Sequence, residues 1–458
     1  MRSTVRVTGL ALLSSFALAG CGLGGGEPAP SSGSEGGSAT AIADVSDADL
    51  QGRTITLARF FGDCLETTQG VTDISKATTE CEAIQILTNA FEAENKWGIK
   101  VERLGGATWD SYYDGLNAAL ASSTKPDVAV VHGASLPSYA KRSLFVPVPE
   151  GIGIDLSDAT APAAEAVEYE GTDYAVPFDT HAVISHLNMD LLGQAGLLEA
   201  DGTYSMPASV DEFMADAEKF KQATGKTFID IAMSNDPMAS RMWMSLIWQQ
   251  GEDFINADGH SASMNSEAAS KALEFLTELA QKGYTDTTHN YDASQQAFLR
   301  GESGIMFNGV WAVNQYELEA PFDYEVTDAP QLFGTPASWA NSHSWAVPVQ
   351  DHNDPAQYRA AFEFVKYLYE HTGDWAIATG HMAASTTAIN SEEYMAAPHR
   401  SQYIKTATEY GHMPPRIDTW PAVGDLIQEK LEGAWLSGQG IPETLDSLQS
   451  QTETTIRE

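Results

Sequence analysis

The feature that most constrains the fold is a short apolar strand, VAVV at residues 128–131, which follows Pro126 and Asp127. Strands that are apolar on both faces are typical of parallel sheets covered by helices on each side. Helical apolar spacing at 83–95 and 109–121 and strand patterns at 54–60 and 99–104 precede it. This alternation of strands and helices predicts an α/β architecture.

Helical patterns dominate the second half of the chain, at 210–223, 240–250, 266–282, 295–299 and 355–371. At 458 residues the chain is long enough for two or three domains and for a sizeable core.

The N-terminal residues have the pattern of an export signal. A short basic start precedes an apolar run at 7–19, which is too short to span a bilayer and typical of a signal-peptide core. The run ends in LAGC, which resembles the bacterial lipobox, in which the cysteine is acylated. We therefore predict a signal peptide at 1–20 and lipidation of Cys21; the alternative is an ordinary cleaved signal that happens to contain a cysteine.

The segment that follows is rich in Gly, Ser, Ala, Pro and Asp and has too little apolar surface to fold. We predict that residues 21–51 form the lipidated cysteine and a flexible linker to the membrane.

The formal net charge of −38 argues against nucleic acid as a partner, because phosphates require a basic surface. It also disfavours an anionic ligand, although a local basic pocket could override the overall field.

Two further cysteines, Cys64 and Cys81, remain as an even pair in an exported chain, which favours a disulfide. We find no CxxC motif and no local cluster of cysteine and histidine. The sequence therefore predicts neither a metal site nor a cofactor.

Several motifs occur in a fixed order along the chain. They are KPDV at 125–128 with Val131 and His132, YAVPFDTH at 174–181, LNMDLL at 187–192, GESGIMFNGVW at 301–311, GHMAAS at 380–385, and the segment 413–423 with a helix reaching Trp435. In this order they resemble the extracellular solute-binding proteins of carbohydrate ABC transporters, the group that includes maltose-binding protein. The resemblance runs from about residue 52 to the C-terminus, and Ala383 departs from it where the family usually has proline.

The resemblance implies a two-lobed, periplasmic-binding-protein-like fold with discontinuous lobes, a hinge and a cleft between the lobes. It places lobe one at 52–155 plus 300–343 and lobe two at 156–299 plus 344–458. The implied partners are a small carbohydrate and the permease subunits of an ABC transporter.

A sugar site needs aromatic rings for the C–H faces and planar polar groups for the hydroxyls. By resemblance, Trp311 and Trp420 occupy ring-stacking positions, although either indole could instead belong to a core. Trp243 and Arg241 begin a helix that aligns with a cleft region. On their apolar helical faces, Trp248 and Trp435 are predicted to be core residues.

The resemblance also suggests polar ligand-binding residues, namely Asp63, His132, Asp179, His181 and Asn308. Asp63 has an alternative role as a turn residue before Cys64, and Asn308 as a brace for the turn before Gly309. Two more histidines, His343 and His381, could line the cleft, but a lone histidine is more often structural.

The predicted function is the capture of an uncharged oligosaccharide at the extracellular face of the membrane by a lipid-anchored monomer that is not an enzyme. Two alternatives stay open. One is a secreted glycoside hydrolase, which needs two carboxylates roughly 5–10 Å apart, although no local catalytic motif is present. The other is the same fold with a polyamine or a peptide as its ligand.

Overall fold

The computed structural model describes residues 39–104, 108–256 and 259–457. The predicted signal peptide at 1–20, the lipidated Cys21 and most of the linker lie outside the described residues. The prediction that the linker extends to residue 51 is wrong, because residues 39–43 form a helix and Ile42 and Leu50 are buried in a hydrophobic core. Among the helices of the described part, none is long and apolar enough to cross a membrane.

Fourteen strands and nineteen helices are numbered here in chain order across the described residues. The strands β1 to β14 are Thr54–Ala58, Lys100–Arg103, Val128–His132, Glu168–Tyr169, Thr172–Asp173, Val176–Pro177, Asp179–Asn188, Thr227–Asp230, Ser303–Gly309, Tyr324–Asp328, Ser338–Asn341, His343–Ala346, Met382–Ala383 and Gly411–His412. The helices α1 to α19 are Ala39–Ala43, Leu65–Thr68, Glu80–Glu94, Trp109–Leu120, Leu136–Ala140, Ala161–Val167, Met189–Gln194, Val210–Thr224, Met238–Trp248, Glu267–Lys282, Tyr291–Leu299, Val313–Glu319, Pro355–Glu370, Thr372–Thr379, Thr386–Ile389, Glu392–Ala396, Arg400–Thr408, Trp420–Leu436 and Ile441–Arg457.

The first sheet has the strand order β2-β1-β3-β12-β6. β1 lies parallel to both of its neighbours, whereas β12 runs antiparallel to β3 and pairs His343 with His132. Every residue of β3 is buried, as its apolar sequence predicts for a central strand. Helices such as α3 and α13 cover this sheet, and the rings of Phe91 and Phe364 meet between them at 5.1 Å.

The second sheet is built around β7, in which all ten residues are buried. β11 and β9 are the neighbours of β7 in the strand order, and β13 and β10 also pair with it, at its start and its end respectively. Because side chains alternate along a strand, Val183 and Leu187 enter one core while Ala182 and Ile184 enter another. The sheet is therefore covered by helices on both faces.

The chain crosses between the two sheets where β6 gives way to β7, at Phe178, and where β11 gives way to β12, at Ser342. It crosses a third time between α13, which packs with the first sheet, and β13, which pairs with β7. The sequence-based assignment of residues 300–343 to lobe one is wrong, because β9 within that range pairs with β7 and β8 in the second sheet. The assignment of 344–458 to lobe two is wrong for β12 and α13, which pack with the first sheet.

The predicted start of lobe two at residue 156 is also too early. Ala163, Val167 and Val176 belong to the core of the first sheet, so lobe one continues as far as Phe178. Buried strands carry the same apolar signal in either lobe, and only long-range pairing decides which sheet each strand joins.

A disulfide joins Cys64 to Cys81, with Cα atoms 6.0 Å apart, in keeping with the pairing predicted from the sequence. It ties the loop after β1 to the first turn of α3. The buried guanidinium of Arg59 donates hydrogen bonds to the carbonyl oxygen of Gly62 and to Oε1 of Gln85 in α3. Together these contacts fix the loop that carries Phe60 and Phe61.

The imidazole of His186, near the end of β7, is buried as a neutral ring. Its Nε2 lies 3.2 Å from the carbonyl oxygen of Gly309, which can only accept, so Nε2 carries the hydrogen. Nδ1 then accepts from the hydroxyl of Tyr324 at 2.7 Å. The pKa of His186 is lowered to about 3, and burial is the largest cause of this shift.

We predict that this histidine makes the fold sensitive to acid. A histidine in the unfolded chain has a pKa of about 6.5. Above this pH His186 is neutral in both the folded and the unfolded chain, and its contribution to the unfolding free energy is fully present. Below it, only the unfolded chain binds the proton, so stability is lost as the pH falls. When the pH falls from 7 to 5, the unfolding free energy of the wild type should decrease by about 1–2 kcal/mol more than that of His186→Gln. Urea titrations at the two pH values measure both decreases.

The matched control is His352→Gln, because His352 is exposed and should leave the wild-type pH dependence intact. Equal losses of stability in the His186→Gln variant and the wild type would contradict the assignment of a neutral buried imidazole.

Candidate functional site

A cleft lies between the two lobes and has two adjoining compartments. The larger compartment has a volume of about 1230 Å³ and the smaller one about 460 Å³. Residues of both lobes line both compartments and join them into one site, namely Trp109, His132, Asn235, Asp236, Arg241 and Asn290.

Aromatic rings form the wall that the first lobe contributes. Phe60 and His132 stack with ring centroids 5.4 Å apart and planes 8° apart. Trp109, at the start of α4, meets both rings edge-on and is 39% exposed. The hydroxyl of Tyr113 lies 2.6 Å from Nδ1 of His132 and fixes this ring. The wall offers flat apolar surface with little freedom to move.

The second lobe faces this wall with Trp311, Tyr291 and Arg241. The indole Nε1 of Trp311 donates to the hydroxyl of Tyr291 at 2.7 Å. The guanidinium of Arg241 lies 4.2 Å from the ring centroid of Trp339 and 5.6 Å from that of Trp311. These contacts hold the guanidinium of Arg241 and the indole of Trp311 in fixed positions beside the smaller compartment.

Glycine is required at position 309 by this arrangement. A Cβ atom there would overlap the six-membered ring of Trp311, so the spacing of glycine and tryptophan in the 301–311 motif has a steric cause.

Histidines held by one carboxylate form part of the floor of the smaller compartment. Asp179 is fully buried and accepts hydrogen bonds from Nε1 of Trp375 and Nδ1 of His343, each at 2.8 Å. Nδ1 of His181 lies 3.0 Å from its other oxygen, and the rings of His181 and His343 stack at 4.2 Å. Burial opposes ionisation of Asp179, but the interaction with His343 and the hydrogen bond from His181 outweigh it and hold the pKa of Asp179 well below the usual range.

Glu80, in the first turn of α3, also lines the smaller compartment. Burial raises the pKa of Glu80 to about 7, so its carboxyl group can donate as well as accept hydrogen bonds near neutral pH.

Six of the predicted site residues meet at this cleft. His132, His181, Arg241 and Trp311 line the smaller compartment, with Asp179 directly behind them. Trp420 lines the larger compartment, although it is only 8% exposed and packs mainly into the core of the second lobe. His343, ranked lower from the sequence, lines the smaller compartment, whereas His381 lies fully buried beneath it.

Three other predicted residues line neither compartment. Asp63 is exposed and forms an ion pair with Arg103 at 3.0 Å. Asn308 is buried and braces the backbone N–H of Gly309 and the hydroxyl of Tyr316. Trp243 is fully buried and donates to the carbonyl oxygen of Ala269, which makes it a core residue.

The core assignments of two tryptophans agree with the structure. Trp248 is buried and donates to Asp253, and Trp435 packs against the same core while donating to the carbonyl oxygen of Met233.

Several cleft residues escaped the sequence analysis, namely Phe60, Phe61, Glu80, Trp109, Tyr291 and Trp339. A signal existed for some of them. Phe60, Phe61 and Trp109 follow parallel strands of the first sheet, and ligands of α/β sheets bind beyond the carboxyl ends of such strands.

Two α/β lobes joined by strand crossings, with an aromatic and polar cleft between them, define a bilobal ligand-binding protein. The family described as bacterial extracellular solute-binding protein matches residues 87–402, and the chain belongs to this family. The family and the fold class predicted from the sequence are confirmed.

Similar proteins include the maltotriose-binding protein of Pyrococcus abyssi, which is 22% identical over 69% of this chain and 67% of its own length. The sn-glycerol-3-phosphate-binding periplasmic protein UgpB of Yersinia enterocolitica is 22% identical over 83% of this chain and 87% of its own. Among solved structures, the GacH receptor of Streptomyces glaucescens, determined without ligand and with acarbose, has a TM-score of 0.75. It is 20% identical and covers 88% of this chain and 98% of its own.

The division between core and cleft tryptophans predicts opposite responses to truncation. Trp243→Ala should lose about 3–5 kcal/mol of unfolding free energy, because it leaves a large cavity and an unpaired carbonyl. Trp109→Ala should lose less than about 1 kcal/mol, because its indole is partly exposed. Urea unfolding of both variants measures the difference, and similar losses would show that the cleft wall is assigned wrongly.

Proposed function

We propose that this protein captures an uncharged oligosaccharide outside the cell and delivers it to the permease of an ABC transporter. The observation that carries the proposal is the pair of facing walls, with Phe60, His132 and Trp109 on one side and Trp311 with Arg241 on the other. Rings suit the apolar faces of a sugar, and Arg241 and the neighbouring amides and carboxylates suit its hydroxyls.

The size of the cleft supports a ligand of more than one sugar ring. Pockets for drug-sized ligands occupy about 300–1,000 Å³, and the larger compartment alone has about 1230 Å³. The maltotriose-binding protein of Pyrococcus abyssi and the acarbose complex of the GacH receptor support the same class of ligand.

Closure of the lobes follows from the position of the site. A ligand that touches both walls binds the closed form more tightly than the open form and shifts the protein towards closure. The crossings at Phe178 and Ser342 are short enough to act as hinges. A closed, loaded form is then the state that a permease would recognise.

Membrane attachment is part of the proposal. A signal peptide at 1–20, a lipid on Cys21 and the linker would hold a monomer at the extracellular face, near the permease. The family consists of extracellular solute-binding proteins, which supports export and a binding role rather than an enzymatic one.

A thermal-shift panel tests the ligand class. Maltotriose, maltose, lactose and other neutral sugars are compared with spermidine, sn-glycerol 3-phosphate and a short peptide. A ligand of the native state raises the melting temperature, so at least one neutral sugar should do so while the charged compounds do not. Stabilisation by spermidine, glycerol phosphate or the peptide alone would refute the carbohydrate assignment.

The cleft tryptophans should determine the affinity for that sugar. Loss of a stacking ring costs around 2 kcal/mol, so Trp109→Ala and Trp311→Ala should each weaken binding at least about tenfold in calorimetry. The matched control is Trp97→Ala, since Trp97 lies away from the cleft and bonds to Asp47. The placement of the site fails if the cleft variants bind like this control.

Anchoring is tested separately by Cys21→Ala. This variant should appear in the culture medium instead of the membrane fraction, and mass spectrometry should find a lipid on Cys21 only in the wild type. A membrane-bound variant together with an unmodified wild-type Cys21 would exclude the lipoprotein.

A further inference from the structure

Four side chains that can each offer a metal ligand meet where the chain crosses between the sheets. They form the His-Asp cluster, which consists of Asp179, His181, His343 and His381. One ligand atom from each lies within 4.8 Å of all the others, and all four residues are buried. Asp179 and His181 are two residues apart, but His343 and His381 come from distant parts of the sequence, so no local spacing could reveal the whole cluster.

The measured distances suit a small tetrahedral cation. An oxygen of Asp179 lies 2.8 Å from Nδ1 of His343 and 3.8 Å from Nε2 of His381, and its other oxygen lies 3.0 Å from Nδ1 of His181. Tetrahedral ligands at about 2.0 Å from zinc are roughly 3.3 Å apart, which lies within this span.

His381 provides an independent observation. Its ring is fully buried, and Nε2 has no hydrogen-bond partner among the described residues. The hydroxyl of Thr379 donates to the carbonyl oxygen of Trp375, so it accepts from Nδ1 of His381 at 2.8 Å. Nδ1 therefore carries the hydrogen, and the bare lone pair of Nε2 is directed into the cluster.

Two carboxyl groups face this lone pair. Nε2 of His381 lies 3.8 Å from a carboxylate oxygen of Asp179 and 3.5 Å from an oxygen of Glu80. A cation between His381 and Asp179 would accept the lone pair of Nε2 and an electron pair of the carboxylate.

Hydrogen bonds from outside the cluster hold two of the ligands in place, as they do in metal sites. Nε1 of Trp375 donates to Asp179, and Thr379 fixes the tautomer of His381. The rings of His181 and His343 line the smaller compartment, which gives an ion a path to the cluster. An ion that binds Nδ1 of His181 or His343 would displace the proton from that nitrogen. Water in the compartment can carry the proton to Nε2 of the same ring.

We propose that the His-Asp cluster binds one zinc ion. Three imidazoles and one carboxylate are a nitrogen and oxygen set that suits zinc, and they complete four-coordinate geometry. Asp179 and His181 begin β7 of the second sheet, His343 begins β12 of the first, and His381 precedes β13. The ion would therefore join the two lobes at their crossing, whatever ligand the cleft takes.

Zinc and cobalt binding by the purified, chelator-treated protein without a histidine tag tests the proposal. We expect one zinc ion per chain in calorimetry, and with Co²⁺ the intense visible absorption of a tetrahedral complex, which added zinc abolishes. These measurements on the wild-type protein are sufficient to overturn the proposal. They do so if the protein binds less than one equivalent of zinc, or if Co²⁺ gives only the weak spectrum of an octahedral complex.

Variants then assign the ligands. Asp179→Asn and His381→Asn should each weaken zinc binding at least about 100-fold, since removal of outer partners alone costs 10–100-fold. The matched control is His186→Gln, which removes a buried imidazole of β7 outside the cluster and should keep full zinc affinity. Retained zinc binding in both cluster variants, with their folding checked by thermal melting, would place the metal elsewhere and overturn the assignment.

Discussion

The buried carboxylate of Asp179 is the interaction on which the junction of the two lobes depends. It lies at the first residue of β7 and accepts hydrogen bonds from His343 in β12 and from Trp375 in α14. A buried charge is tolerated only with such partners, because its loss of hydration is costly. The requirement to satisfy this carboxylate therefore brings the start of β7, the start of β12 and α14 to one point.

The cleft follows from that junction. Because β12 pairs with β3 in antiparallel register, His343 lies opposite His132, and the ring of His132 in the wall meets the rings of His181 and His343 in the floor. The walls rise from loops and helix starts on either side of it. At the mouth of the cleft, Lys141 of the first lobe contacts Asp418 of the second at 2.5 Å. Such an exposed pair contributes little stability and can open readily.

Local patterns were enough to predict β1, β2, β3 and the disulfide pair, and the family resemblance predicted the indole of Trp311 beside the cleft. Failures came where a residue's role depends on distant partners. Arg241 and Trp243 are two residues apart on α9 and so point to different sides, one to the cleft and one to the core. The lobe membership of β9 and β12 and the meeting of His181, His343 and His381 depend on strand pairing across more than 100 residues.

Closure of the two lobes around a sugar is the central claim, and small-angle X-ray scattering measures it most directly. Scattering is compared for the protein alone and for the protein saturated with the neutral sugar that stabilises it most. The account predicts a smaller radius of gyration with the sugar, because a ligand held by both walls favours the closed form. A radius that stays the same at saturation would contradict it.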